Sequence, residues 1–206
     1  MRYKAVIYDC DGVMFDSFEA NLAFYQRIMG MMGREPLDRS DEEQMRILHT
    51  YANREVLAHF FHNPREWEEA VRCAGRIDYR DLVPLMVMEQ GFRETLDQLK
   101  GRVELAVCTN RSTSMDTVLE SFDLAPYFGL VMTASKVDNP KPHPEPLLKV
   151  VEHFGIEPGE ALFVGDSAVD CMAAEAAGVP FVAYKADLPA MACIDCHGDV
   201  IALVRS

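Results

Sequence analysis

Short apolar runs alternate with stretches of helical periodicity along most of this chain. Residues 4–8, 103–108, 130–133, 161–164 and 180–184 are apolar and rich in β-formers, and they read as buried strands. Residues 92–100, 113–121, 144–154 and 168–177 carry apolar positions at helical spacing, and Gly178 stops the last of them. Strands alternating with helices predict an α/β fold, a doubly wound parallel sheet covered on both faces. The alternation breaks between residues 16 and 85. There Asp16-Ser17 resembles a helix start, and Leu22, Phe24, Tyr25, Ile28, Met29 and Met32 recur one turn apart. Residues 41–50, 54–61 and 64–74 predict three more helices, the last with Pro64 at its first position. The chain therefore divides into an α/β core over 1–15 and 86–206 and an all-helical insertion over 16–85. Residues 187–206 give no clear element.

The chain has 206 residues, 49% of them apolar and 26% charged, an ordinary globular balance. The formal charge of −13 argues against a nucleic-acid binder and against docking on anionic membranes, both of which want a basic face. No apolar run approaches the ~20 residues of a spanning helix. The apolar stretch at 5–8 is too short for a signal-peptide core. The expectation is a cytoplasmic monomer or small homo-oligomer with its six cysteines as thiols. Cys193-Ile194-Asp195-Cys196-His197 fits the C-x-x-C-H haem-attachment pattern. Without an export signal, and with no second Cys/His pair at zinc spacing after it, it reads as a chance match.

Parallel sheets bind ligands beyond the carboxyl ends of their strands. Three predicted strands end in usable polar groups: Asp9-Cys10-Asp11-Gly12, Thr109-Asn110-Arg111, and Gly165-Asp166-Ser167 with Asp170 one turn on. Lys141 stands between Pro140 and Pro142 in a fourth segment. Asp9, Asp11 and Asp166 would converge at one sheet edge, where carboxylates repel one another unless a cation neutralises them. Hard divalent cations suit such oxygen ligands, and Mg²⁺ readily shares its shell with a substrate phosphate. The blander reading, that these acids only cap helices, serves Asp166 but not Asp9, which directly ends an apolar strand. A hydroxyl, loop amides and an ammonium at Thr109, Asn110 and Lys141 are what phosphoryl oxygens need. Walker, Rossmann and nucleophile-elbow motifs are absent from the sequence.

Taken together, these segments resemble the haloacid dehalogenase-type phosphohydrolases, in the phosphoglycolate-phosphatase and β-phosphoglucomutase-like branch. Asp9-Cys10-Asp11-Gly12-Val13 is similar to that family's first motif and Thr109-Asn110 to its second. Lys141 within PKPHPEP is similar to the third, and Gly165-Asp166-Ser167 with Asp170 to the fourth. The resemblance implies a Rossmann-like core with residues 16–85 as the helical cap. It implies Asp9 as nucleophile and Asp11 as the acid and base. The Asp9 and Asp166 carboxylates and the Asp11 backbone carbonyl would hold Mg²⁺. Thr109 and the Asn110 amide would bind the phosphoryl group, Lys141 would offset its charge, and Asp170 would orient the site from behind.

The presence of Asp11 separates the chain from the dehalogenases, and residues 16–85 contain no lysine for the Schiff base of the phosphonoacetaldehyde hydrolases. The cap segment 49–54 corresponds to the family's specificity loop, so His49 and Arg54 are candidates to touch the leaving group. Cap arginines as ordinary surface charges among cap acids are the competing reading. Trp67 and the Met/Phe stripe read as cap core. The resemblance implies a Mg²⁺-dependent phosphatase acting on a small phosphate ester such as phosphoglycolate or a sugar phosphate. A phosphomutase shares the same core residues. A phospho-accepting receiver domain fails on chain order, because Thr109 precedes Lys141 and the last acid follows both. A binding protein that has lost activity would have broken at least one of these residues.

Overall fold

Strand β1 (Ala5–Tyr8) is apolar at every position because both of its faces are covered. In the computed structural model, which describes residues 3–205, Ala5 and Ile7 join one hydrophobic cluster and Val6 and Tyr8 the other. Residues 1–2 and 206, the ends of the predicted core, lie outside the described residues.

From β1 the chain runs through β2 (Phe15–Asp16), then α1 (Phe18–Met31), α2 (Glu42–Thr50), α3 (Asn53–Phe60) and α4 (Pro64–Ala74). It returns through β3 (Val87–Met88), α5 (Phe92–Leu99), β4 (Glu104–Thr109), α6 (Met115–Ser121) and β5 (Leu130–Thr133). It ends with α7 (Glu145–Phe154), β6 (Ala161–Gly165), α8 (Ala168–Ala177), β7 (Phe181–Tyr184), β8 (Ala192–Ile194) and α9 (Gly198–Arg205). The main sheet has the order β5-β4-β1-β6-β7-β8, with every pairing parallel. Connections from β1 and β4 run to one side and those from β6 and β7 to the other. The order therefore reverses between β1 and β6, and a crevice opens at their carboxyl ends.

Helices α1–α4 form a cluster of their own around Ile28, Leu48, Val56, Leu57 and Phe61. Their starts follow ordinary capping chemistry. The Asp41 carboxylate accepts from the Gln44 N–H, and the Asn63 side chain accepts from the Arg65 N–H just ahead of Pro64. The chain enters and leaves this helical group through the antiparallel pair β2–β3, with Phe15 opposite Met88 and Asp16 opposite Val87.

The C-terminal segment, unassigned from sequence, forms the edge strand β8 and helix α9, which packs on α5. Within it Cys193 and Cys196 are exposed, whereas His197 is fully buried. The imidazole stacks on Tyr184 with ring centroids 4.3 Å apart and meets Phe92 at 4.9 Å. Its Nε2 lies 2.9 Å from the Val13 carbonyl oxygen, so it ties the chain end to the loop that follows β1. Among the described residues the two thiols join no group of three or more metal-ligating side chains. No helix among the described residues is long and apolar enough to cross a membrane.

His197→Ala removes that bond and opens a void beside Tyr184. It is expected to cost about 3 kcal/mol. That is a fall of about 6–12 °C in the thermal unfolding midpoint. A midpoint within about 1 °C of the parent would show that the C-terminal element does not brace the loop.

Candidate active site

The loop leaving β1 is built for close approach. Asp9 continues the ladder by donating its N–H to the Val164 carbonyl, 2.9 Å away. The chain then turns sharply, with the Met14 and Phe15 N–H groups both donating to the Cys10 carbonyl and Gly12 at φ +75°. Glycine is needed at position 12 for space as well as dihedral: a Cβ there would lie 1.9 Å from Asp166 Oδ2. Gly165, which ends β6, has the same role toward Asp170, since a Cβ there would stand 2.6 Å from the Asp170 Cβ. These two glycines let the Asp166 and Asp170 side chains close over the end of the sheet.

Lys141 is the hub. Its side chain is 1% exposed, and its Nζ donates to the Cys108 carbonyl at 3.0 Å and to Asp170 Oδ1 at 2.5 Å. The same ammonium lies 2.8 Å from Asp9 Oδ1, within ion-pair range but not aligned as a hydrogen bond. The Phe163 ring lies below it, 5.3 Å from Nζ. Burial alone would lower the lysine pKa, but Asp170 and Asp9 outweigh burial and hold it above its ordinary value. Asp170 is fixed from its other side by Ser167 at the start of α8. The Ser167 N–H and hydroxyl donate to Asp170 Oδ2, and the serine oxygen accepts from the Asp170 N–H.

Ligand oxygens of Asp9, Asp166 and Asp170 lie within 4.8 Å of one another. Burial, with help from the neighbouring carboxylates, pushes Asp9 up to about 7 against the pull of Lys141. The same causes push Asp166 up to about 8. An all-oxygen cluster that resists ionising by itself fits a hard divalent cation.

Asp11 is in the opposite condition. Its Oδ1 accepts from the Ser17 hydroxyl, from Asn21 Nδ2 at 3.0 Å and from Arg111 Nη2 at 2.5 Å; its Oδ2 accepts from Arg111 Nε at 2.8 Å. Burial would raise this acid, but the guanidinium and the hydrogen bonds outweigh it and hold Asp11 below its ordinary range. Arg111 also donates to Asn21 Oδ1 at 3.1 Å and to Ser114 Oγ at 3.3 Å, and its guanidinium lies 4.9 Å from the Tyr79 ring centre.

The remaining predicted site residues fall around this centre. Thr109 is buried at the end of β4, its hydroxyl accepting from the Arg111 N–H at 3.1 Å. The Asn110 side chain bridges the Lys141 carbonyl at 2.9 Å and the Thr50 carbonyl at 3.2 Å, while its Oδ1 is buried without a partner. His49 stacks on Phe18 at 4.5 Å with its Nδ1 3.2 Å from Asn21 Nδ2. Arg54 is exposed and lies over Trp67, 5.0 Å from the ring centre. A cavity of about 970 Å³ runs from Asp9 and Asp11 past Thr109 and Arg111 to His49 and Arg54. Sequence reasoning gave no role to Ser17, Asn21, Arg111 or Ser167. The available signals were the adjacency of Arg111 to Thr109-Asn110, Ser167 inside the Gly165-Asp166-Ser167 segment and Ser17 at a helix start.

Residues 6–184 match the haloacid dehalogenase-like hydrolase family. The chain belongs to this family. A haloacid dehalogenase-superfamily hydrolase of Geobacter sulfurreducens, subfamily IA variant 1, is 76% identical, with a TM-score of 0.79 over 98% of this chain and 97% of that one. CbbY of Rhodobacter sphaeroides, 18% identical, shares the fold with a TM-score of 0.84 over 96% of both chains. Phosphoglycolate phosphatase of Escherichia coli K12 is 46% identical over 91 residues. That match takes in 43% of this chain but only 36% of the relative's length.

In this haloacid dehalogenase-like hydrolase the raised acids make stability depend on pH. Folded Asp9 and Asp166 hold protons that their unfolded forms release near pH 4, so stability falls as pH rises through 7 and 8. His197, lowered to about 4 chiefly by burial, acts with the opposite sign but only below pH 6.5. With chelator present, the thermal midpoint is expected to fall between pH 6.5 and 8. Asp166→Asn should shrink that fall. A midpoint in chelator that is level or rising across this range would contradict the assignment.

Proposed function

We propose that the protein is a Mg²⁺-dependent phosphatase that hydrolyses a small phosphorylated metabolite through an aspartyl-phosphate on Asp9. The observation that carries this reading is the paired environment of Asp9 and Asp11. One carboxylate lies at the end of β1 against Lys141 and the acid cluster, and a second, two residues on, is held by Arg111, Ser17 and Asn21.

Charge supports the cation. Asp9, Asp11, Asp166 and Asp170, fully ionised, stand against Lys141 and Arg111 alone, a local excess of two negative charges. A phosphate dianion would be repelled there. The Asp9 and Asp166 carboxylates and the Asp11 carbonyl would hold Mg²⁺, which when bound supplies the neutralising charge and polarises a phosphoryl oxygen. The chain's own groups do the rest. An Asp9 oxygen bonds to phosphorus in line as the ester P–O bond breaks, and Asp11, which must first leave Arg111 and take up a proton, hands that proton to the departing alcohol oxygen. Asp11 then takes a proton from the water that attacks the acyl phosphate, which releases inorganic phosphate and restores Asp9. Lys141 holds Asp9 in position, and the Thr109 hydroxyl with the Asn110 amide binds the phosphoryl oxygens. Asp170 positions Lys141. Residues 16–85 act as the cap that selects the alcohol, with His49 and Arg54 facing it.

Phosphate release from a panel of small monoesters is the test. Release is expected with Mg²⁺, is lost in chelator, and falls at least about 10⁴-fold in Asp9→Asn. Label from a radioactive ester should remain on acid-quenched wild-type protein and not on Asp9→Asn. Release that survives in Asp9→Asn would end the proposal. Label trapped on Asp9 without phosphate release would replace hydrolysis by transfer to a second alcohol, the mutase reaction.

A further inference from the structure

We infer that Arg111 is the receptor for a carboxylate on the leaving alcohol, and that this carboxylate takes Arg111 away from Asp11. The inference rests on the phosphatase reading for its chemistry and on the contacts of Arg111 for its geometry.

Three cations line the large cavity, and two are committed or remote. Lys141 is locked between Asp9, Asp170 and the Cys108 carbonyl. Arg54 is exposed at the far wall on Trp67. Arg111 is engaged as well, but its guanidinium closes on a carboxylate through two near-parallel bonds, the arrangement that recognises carboxylates, and a substrate carboxylate could take the same place. The two Asp11 oxygens are not held alike. Oδ1 has Ser17 and Asn21 besides Arg111, whereas Oδ2 takes a hydrogen bond from Arg111 alone. If a substrate carboxylate replaces Asp11 on the guanidinium, Oδ1 stays anchored and Oδ2 is freed to face the ester oxygen. While Arg111 keeps Asp11, that oxygen is occupied. An alcohol without the anion leaves the exchange undone.

A second donor points the same way. Arg111 Nη2 donates to Asn21 Oδ1, which fixes the Asn21 amide so that its Nδ2 faces both Asp11 and His49 Nδ1. His49 Nδ1 must then accept, and its hydrogen lies on Nε2. That Nε2 is buried with no partner, on a residue lining the same cavity. Arg111 and His49 thus offer a fork and a single N–H to one anion, close to the acid that must reach the leaving oxygen. This suits esters whose carboxylate stands a carbon or two from the phosphoester oxygen.

The test uses binding, so that it does not depend on turnover. With Mg²⁺ present, wild type, Arg111→Met and Arg111→Lys are titrated calorimetrically with 3-phosphonopropionate and with propylphosphonate, which differ in the carboxylate. Wild type is expected to favour the carboxylate ligand by about tenfold to hundredfold. Arg111→Met should bring the ratio to within about threefold of unity, with Arg111→Lys between, since it keeps charge but loses the fork. Circular dichroism shows that each variant is folded, and Arg111→Lys carries the test if Arg111→Met is not. In parallel, 2-phosphoglycolate and 2-hydroxyethyl phosphate are compared as substrates, and the kcat/KM ratio should collapse in the same variants. A wild-type ratio near unity, or a ratio that survives in both variants while both ligands weaken together, overturns the inference. No phosphate release from any ester by wild type defeats the hydrolytic reading alone, and the binding ratio still decides the role of Arg111.

Discussion

A lysine ammonium placed out of water at the end of a parallel sheet is the constraint around which the rest of this molecule is arranged. Lys141 is nearly inaccessible, and a buried ion is tolerated only when its partners are close and complete. Here they come from three separate parts of the chain: the Cys108 carbonyl on β4, Asp9 beyond β1, and Asp170 in the first turn of α8. Each then needs its own support. Asp170 needs Gly165 for room and Ser167 to hold its second oxygen. Asp9 needs the ladder bond to Val164 that aims it out of β1. Replacing any one partner would strand a charge where water cannot reach it, which ties the geometry of the site to the folding of the core.

The same placement separates two chemically identical side chains. Asp9 and Asp11 are two residues apart, yet one is raised and the other lowered. Desolvation and neighbouring acids dominate at Asp9. At Asp11 a guanidinium, a hydroxyl and an amide all bind the ionised form. The division runs opposite to the proposed roles, so a cation beside Asp9 and the release of Asp11 from Arg111 are what would make the first the nucleophile and the second the acid. The division depends on which face of the turn each residue occupies, and Gly12 makes that turn possible by admitting Asp166 at its apex.

The sheet was legible because buried parallel strands are continuous apolar runs that stop at polar residues, and the stops at Asp9, Thr109 and Gly165-Asp166 line up at the candidate site. The helical insertion was legible from its periodicity. The elements that escaped are short or weakly patterned. Two residues in β2 and two in β3 carry no period, and the Cys/His cluster that begins inside β8 and runs up to α9 resembles a ligand motif more than a strand end. The helix over α9 has ordinary apolar spacing, but the burial of His197 against Tyr184 exists only once β7 and the C-terminus are in place. Ser17, Asn21 and Arg111 escaped for a related reason. Nothing local marks a serine, an asparagine or an arginine as a partner of Asp11; their convergence is made by packing α1 over the loop after β4.

That convergence gives the helical insertion a direct hold on the candidate site. Asn21, on α1, touches Asp11, Arg111 and His49 together, and His49 lies in the last turn of α2. On the opposite wall the Asn110 amide joins the carbonyl of Thr50, which ends α2, to the carbonyl of Lys141. One polar chain thus reaches the acid and another the lysine loop, both from the same end of the same helix. A shift of α2 relative to the sheet disturbs Asp11 through Asn21 and Lys141 through Asn110 at once. Whatever occupies the cavity between them touches side chains that lead to both Asp11 and Lys141. On the proposed reaction, the cavity walls, rather than the acids they surround, would be where differences in the alcohol become differences in rate.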